Sequence, residues 1–150
     1  MLELDLQFGS RVGQAHTDAL SPRFVRKWVE LALAPSVHQA VMTVRVVGSA
    51  EGRALNAQYR SKDYATNVLT FDYAKSPVLM ADIVLCAPVV AAEAKTLGKT
   101  LAQHYAHLLV HGCLHAQGYD HETSERDAAL MESLESLLLL SAAQPDPYLS

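Results

Sequence analysis

The chain has 150 residues, of which 50% are hydrophobic and 19% are charged, and its formal net charge is −4. These values are typical of one globular domain and exclude a disordered chain. The sequence has no run of about 18 apolar residues, so no membrane span is expected. The negative total also argues against a protein that wraps nucleic acid nonspecifically. Residues 1–62 nevertheless contain eight Lys or Arg against five Asp or Glu. This asymmetry is either a chance feature of a small protein or a local phosphate-binding surface.

The predicted elements begin with a half-buried strand, because apolar and polar residues alternate from Leu2 to Phe8. Turn signals and periodicity then predict a helix from Ser21-Pro22 to about Leu33, a strand over 41–47, a helix from Ser49 to about Arg60, strands over 67–71 and 82–86, and helices from Pro88 to Gly98, Thr100 to Gln117 and Ser124 to Leu140. The helix between the strands 41–47 and 67–71 predicts a right-handed parallel crossover.

This order of elements predicts a single domain over residues 1–150, with a loose tail at about 142–150. The fold class is α+β, with one mixed sheet of about four strands packed against a layer of helices. Cys86 and Cys113 lie in apolar runs and predict two buried thiols in a reducing compartment. The N-terminal segment contains no basic stretch and does not resemble a secretory signal, so a cytoplasmic location without membrane association is expected.

The most informative segment is HGCLHAQGYDH, at residues 111–121. His111 and His115 are one helical turn apart and can point toward a common ion, while Gly118 can adopt the left-handed conformation that turns the chain back toward His121. Three imidazoles with an open fourth position are typical of a catalytic zinc site, here at the end of a long helix. His104 and His107 lie on the same stripe, and His107 is either a neighbour of the ligands or an ordinary histidine.

Gly112 stands where a zinc protease carries its catalytic glutamate, and residues 100–117 contain no Glu. Phosphodiester cleavage makes different demands, because the charge on the phosphate oxygens needs a metal and a cationic side chain. Arg60 and Lys62, at the end of the helix before the third strand, are candidates for that role. The alternative is that they are solvated charges that stabilise the C-terminus of this helix.

Three segments, LNAQYRSKDYATNVLTF (55–71), ADIVLC (81–86) and HLLVHGCLHAQGYDH (107–121), resemble the YbeY family of single-strand-specific metallo-endoribonucleases. The resemblance implies one zinc ion bound by His111, His115 and His121, and an RNA-handling role for Arg60. It also implies action on small ribosomal subunit precursors, in 16S rRNA 3′-end maturation and ribosome quality control. The chain departs from the family pattern at Ala81, where Gly is common, and at Ala116-Gln117, where a leucine pair is common.

The resulting hypothesis assigns the metal to the three motif histidines and phosphate stabilisation to Arg60, with Lys62 as a second substrate-binding residue. His107 and Asp120 are the candidate proton carriers. Two alternatives remain open at this point. One is a zinc-dependent peptidase with the same ligand spacing, and the other is a non-catalytic ribosome-assembly factor that contains zinc.

Overall fold

The computed structural model of the chain describes residues 1–60, 65–119 and 125–141, and it has the expected α+β fold with one mixed sheet. The strands are β1 (Leu2–Phe8), β2 (Ala40–Val47), β3 (Val68–Ala74) and β4 (Leu79–Cys86). The helices are α1 (Gln14–Ala19), α2 (Pro22–Ala32), α3 (Ser49–Arg60), α4 (Ala87–Leu97), α5 (Leu101–Ala116) and α6 (Glu125–Ser141). None of the helices within these described ranges is long and apolar enough to cross a membrane.

The strand order is β1-β2-β4-β3, which corrects the predicted crossover. β2 pairs in parallel with β4, whereas β3 pairs antiparallel with β4 at the edge of the sheet. The physical reason is the short connection between Ala74 and Leu79, which folds β3 and β4 into a hairpin before the chain can cross over. The parallel crossover that starts at β2 therefore reaches β4, and β3 is left with one unpaired edge in the described sheet.

The helix ends follow the capping signals in the sequence. The Ser21 hydroxyl accepts a hydrogen bond from the Phe24 backbone N–H at 3.1 Å, with Pro22 in the first turn. Thr100 and Gln103 form a reciprocal capping box at the start of α5. Gly98 ends α4 with φ of 68°. The short helix α1 was not predicted, because its six residues contribute no buried side chain.

Helix α5 is the central element of the helical layer and contacts α2, α4, α6, β3 and β4. Most of its side chains are buried, and they include Cys113, whose thiol is fully buried with a pKa raised to about 12 by that burial. Cys86 is also buried, as predicted. At the end of α5, the Gln117 side chain donates to the Ala32 carbonyl and accepts from the Ala34 N–H, both at 2.8 Å. Gln117, which stands where a leucine was expected from the resemblance, therefore connects the end of α5 to the end of α2 by hydrogen bonds.

Candidate active site

One cavity of about 890 Å³ contacts the helices α3, α4, α5 and α6 and the edge strand β3. All four histidines of the predicted stripe line it, namely His104, His107, His111 and His115. Their alignment follows from the spacing of three and four residues along α5, which keeps side chains on one face of a helix. The ring centroids of His107 and His111 are 6.4 Å apart.

A buried carboxylate from α6 contacts two of these histidines. Oε1 of Glu135 lies 2.5 Å from Nδ1 of His111, and Oε2 lies 3.3 Å from Nε2 of His107. The Glu135 side chain is 0% exposed, whereas the side chains of His107 and His111 are 15% and 20% exposed, respectively. A buried charge is stable only when it is paired and hydrogen bonded, and the two imidazoles supply those partners. Glu135 therefore fixes the orientation of both rings.

This arrangement suits a metal-binding histidine. A neutral imidazole that donates its Nδ1 proton to a carboxylate keeps its lone pair on Nε2, and carboxylate–histidine pairs of this kind accompany most histidine ligands of metals. His115 lines the same cavity one turn further along α5. The third predicted ligand, His121, lies outside the described residues. Within the part of the chain that is described, no group of three potential ligands converges on one point.

The surroundings of Gly112 explain why a glutamate is absent there. A Cβ atom on Gly112 would lie 3.2 Å from two side-chain carbons of Ile83 on β4. Residue 112 therefore faces the sheet rather than the cavity, and its lack of a side chain lets α5 approach β4 closely. A carboxylate at this position would be buried against an apolar strand without a partner.

The turn after α5 contacts the β3–β4 hairpin. Gly118 has φ of 108°, as predicted for the turn, and its added Cβ would lie 3.5 Å from the Lys75 side chain. Lys75 in turn donates a 2.6 Å hydrogen bond to Asp72 on β3. This hydrogen bond is the main cause of the lowered pKa of the Asp72 carboxyl, and the charge of a protonated His115 would contribute in the same direction. His115 thus lies near the acidic residue of the edge strand.

A second histidine–carboxylate pair occupies another part of the cavity wall. Nε2 of His104 lies 2.9 Å from Oε1 of Glu93 on α4, and the same oxygen accepts from the Asn67 amide at 3.0 Å. The Asn67 side chain also accepts the Val68 N–H at 2.7 Å. Burial is the main cause of the lowered pKa of His104. This network joins α4, α5 and the start of β3.

Of the remaining predicted site residues, the structure describes only the backbone of Arg60. Arg60 is the last residue of α3, directly after Tyr59, which lines the cavity. The Arg60 side chain, together with Lys62, Asp120 and His121, lies outside the described residues. The sequence predictions for these four side chains therefore stay predictions.

Sequence reasoning missed Glu135 and Glu93. The sequence does contain a signal for Glu135, because this residue lies four positions after Met131 and four before Leu139 on one face of the predicted helix. The structure buries all three residues. An acid within the apolar stripe of an amphipathic helix requires a buried partner. Glu93 carries no comparable signal, since its side chain is 38% exposed.

Comparisons with known proteins identify the family of the chain. The sequence profile described as Endoribonuclease YbeY matches residues 12–143. A protein named Endoribonuclease YbeY from Polaromonas sp. (strain JS666) is 60% identical over 98% of this chain and 94% of its own length. A protein of the same name from Paracidovorax citrulli is 55% identical over 98% of this chain and 95% of its own length.

A solved structure has the same fold. The solution structure of TM1509 from Thermotoga maritima superposes with a TM-score of 0.55 at 21% identity, covering 98% of this chain and 99% of the other. At this identity the likeness speaks for the fold alone. The profile match and the two relatives cover nearly the whole chain, and the chain therefore belongs to the YbeY endoribonuclease family.

Proposed function

We propose that this chain is a zinc-dependent endoribonuclease that cleaves single-stranded RNA and acts in 16S rRNA 3′-end maturation and ribosome quality control. Its family supports the RNA-cleaving reaction. The observation that carries the zinc requirement is the 2.5 Å contact between the fully buried Glu135 carboxylate and Nδ1 of His111. The ribosomal role rests on the resemblance of the sequence motifs.

Three histidines would hold the zinc ion, namely His111, His115 and His121. A zinc ion bound by three imidazoles supplies a Lewis acid and a water of lowered pKa. Glu135 would accept a hydrogen bond from Nδ1 of His111, which would leave Nε2 of that ring free to bind the metal. The Glu135 side chain is 0% exposed and contacts both His111 and His107.

Arg60 is the proposed residue for phosphate stabilisation, with Lys62 as a second contact. The backbone of Arg60 ends α3, and the neighbouring Tyr59 lines the cavity, which supports this assignment. His107 lines the cavity and contacts Glu135, so it is the better supported of the two candidate proton carriers. Asp120 is the other candidate.

The recessed position of the histidines favours single strands. The His111 side chain is only 20% exposed and lies in a cavity walled by helices and an edge strand. An RNA duplex keeps its phosphates on a stiff helical path, whereas a single strand can bend and place one phosphate deep in a cavity. We therefore expect duplex RNA to be a poor substrate.

The surroundings of Gly112 speak against the peptidase alternative. In a zinc protease the residue after the first ligand carries the carboxylate that deprotonates the water. Here that position lies 3.2 Å from Ile83 and faces the sheet. The carboxylate that contacts His111 and His107 is Glu135, which is buried and has no exposed surface.

The test compares three substrates with the purified protein and zinc: a single-stranded RNA, the same RNA paired with its complement, and casein. We expect cleavage of the single strand only. His115→Ala should reduce that cleavage at least about a hundredfold, because it removes a ligand of the metal that stabilises the reaction. His38→Ala is the matched control, since His38 is an exposed histidine away from the cavity.

Two results would contradict the proposal. Cleavage of casein but not of RNA, lost in His115→Ala, would identify a peptidase. Zinc binding without cleavage of either substrate, together with unchanged 16S rRNA 3′ ends in cells that carry His111→Ala, would identify a non-catalytic assembly factor. If the wild-type protein cleaves RNA in vitro but cells that carry His111→Ala have normal 16S rRNA 3′ ends, only the ribosomal part of the proposal is wrong.

A further inference from the structure

An exposed aromatic pair lines the same cavity as the histidines. Tyr59 on α3 is a large aromatic residue that is 59% exposed. Its ring centroid lies 4.8 Å from that of Phe71 on β3, with an angle of 65° between the ring planes. This edge-to-face contact holds the tyrosine ring in place while much of its surface stays in solvent. The pair therefore forms a fixed aromatic surface within the cavity.

The neighbouring backbone offers hydrogen-bonding groups. Six consecutive residues, 66–71, line the cavity, so β3 meets it along the strand edge as well as with one face. β3 is an edge strand of the described sheet, and an edge strand presents N–H and C=O groups that pair with no other strand. Such groups match the donors and acceptors on the Watson–Crick edge of an unpaired base.

The part of the cavity beside the aromatic pair suits a nucleobase. A nucleobase is uncharged and gains from stacking on an aromatic surface, and Tyr59 and Phe71 supply such a surface here. A nucleotide that enters this part of the cavity is therefore expected to place its base against the tyrosine ring.

We infer that Tyr59, supported by Phe71, and the adjacent edge of β3 form a subsite for one unpaired nucleobase of the substrate. The base stacks on the tyrosine ring, and the strand edge contacts its polar rim. Paired bases cannot enter, because their Watson–Crick edges and faces are already occupied. This inference rests on the proposed cleavage of single-stranded RNA, and it adds a binding site that is separate from the metal-binding histidines.

The experiment measures kcat and KM of the zinc-loaded full chain on a short single-stranded RNA. Removing a stacking ring costs about tenfold or more in affinity for each base, so Tyr59→Ala should raise KM by that factor and change kcat little. Tyr59→Leu should behave like Tyr59→Ala, since it keeps apolar surface without a π face. Tyr59→Phe should restore most of the affinity. Circular dichroism checks that each variant is folded.

The matched control is Tyr73→Ala. Tyr73 is 66% exposed on the same strand as Phe71, but it does not line the cavity and its hydroxyl donates to Asp82. We expect its KM to equal that of the wild type. An RNA series with one abasic nucleotide at successive positions adds a second readout. One position should raise KM for the wild type and have no further effect in Tyr59→Ala.

The outcomes separate this inference from the proposed function. If the wild type cleaves the RNA but Tyr59→Ala and Tyr59→Leu keep its KM, the subsite is wrong and the nuclease remains. If Tyr73→Ala raises KM as much as Tyr59→Ala, the effect is a general loss of surface and the subsite is again wrong. If the wild type neither binds nor cleaves single-stranded RNA, the proposed function fails and the subsite fails with it.

Discussion

Two histidine–carboxylate pairs on α5 use the same residue types with opposite burial. In the pair His104–Glu93 the histidine is 3% exposed and the carboxylate is 38% exposed. In the pair His111–Glu135 the histidine is 20% exposed and the carboxylate is 0% exposed. The ring nitrogens also differ, because His104 uses Nε2 and His111 uses Nδ1 toward the carboxylate.

Under the proposed function, the difference separates a structural role for His104–Glu93 from a chemical role for His111–Glu135. His104 is held inside the helical layer, and Glu93 joins it to Asn67, so this pair connects three elements of the fold. His111 is held from behind by a carboxylate without solvent contact, which leaves the other side of its ring toward the cavity. We therefore propose that the burial of the histidine or of the carboxylate, rather than the residue types, distinguishes the roles of the two pairs.

The largest expected effect separates the two carboxylates by their influence on zinc. Replacing a carboxylate that orients a metal-binding histidine typically costs about 10- to 100-fold in metal affinity. Glu135→Gln should therefore weaken zinc binding by about that factor, measured by competition with a chromogenic chelator. Glu93→Gln is the matched control and should leave zinc affinity nearly unchanged. Equal losses in both variants would show that the two pairs do not differ in function.

The second expected effect is a loss of stability with little loss of zinc affinity, which is the reverse of the first prediction. His104→Ala removes a buried ring and leaves its partners Glu93 and Asn67 rearranged, so we expect a loss of about 2 kcal/mol in the free energy of unfolding. Zinc affinity should change little. Urea denaturation of the zinc-free protein measures the first quantity, with the exposed His38→Ala as control. A stable His104→Ala variant that has lost zinc binding would reverse the assignment.

The smallest effect is a pH dependence of stability. Burial lowers the pKa of His104, although its contact with Glu93 opposes the shift, and the nearby His107 and Lys99 reinforce it. The unfolded chain therefore binds a proton more readily, and stability is lost as the pH falls below about 6.5, the pKa of an unperturbed histidine. His104→Gln should lose less stability over that range. The free energy of unfolding is measured against pH by urea denaturation with EDTA present. If it falls equally for the wild type and for His104→Gln, this contribution of His104 is excluded.

The sequence by itself determined the features that depend on near neighbours along the chain. The helices α2, α3, α4 and α5 begin and end close to the predicted residues, because caps, prolines and glycines act within a few residues. The histidine stripe follows from the period of the α-helix alone. The resemblance of the motifs also identified the family, which the relatives confirm.

Only the tertiary structure decided the features that join distant segments. Glu135 meets His111 across 24 residues of chain, and no local pattern specifies which helix supplies a carboxylate. The direction of β3 depended on its hairpin with β4, whereas the spacing from β2 suggested a parallel crossover. The role of Gly112 became clear only from its distance to Ile83. These features depend on contacts between faces that the chain brings together on folding, and periodicity carries no information about which face meets which.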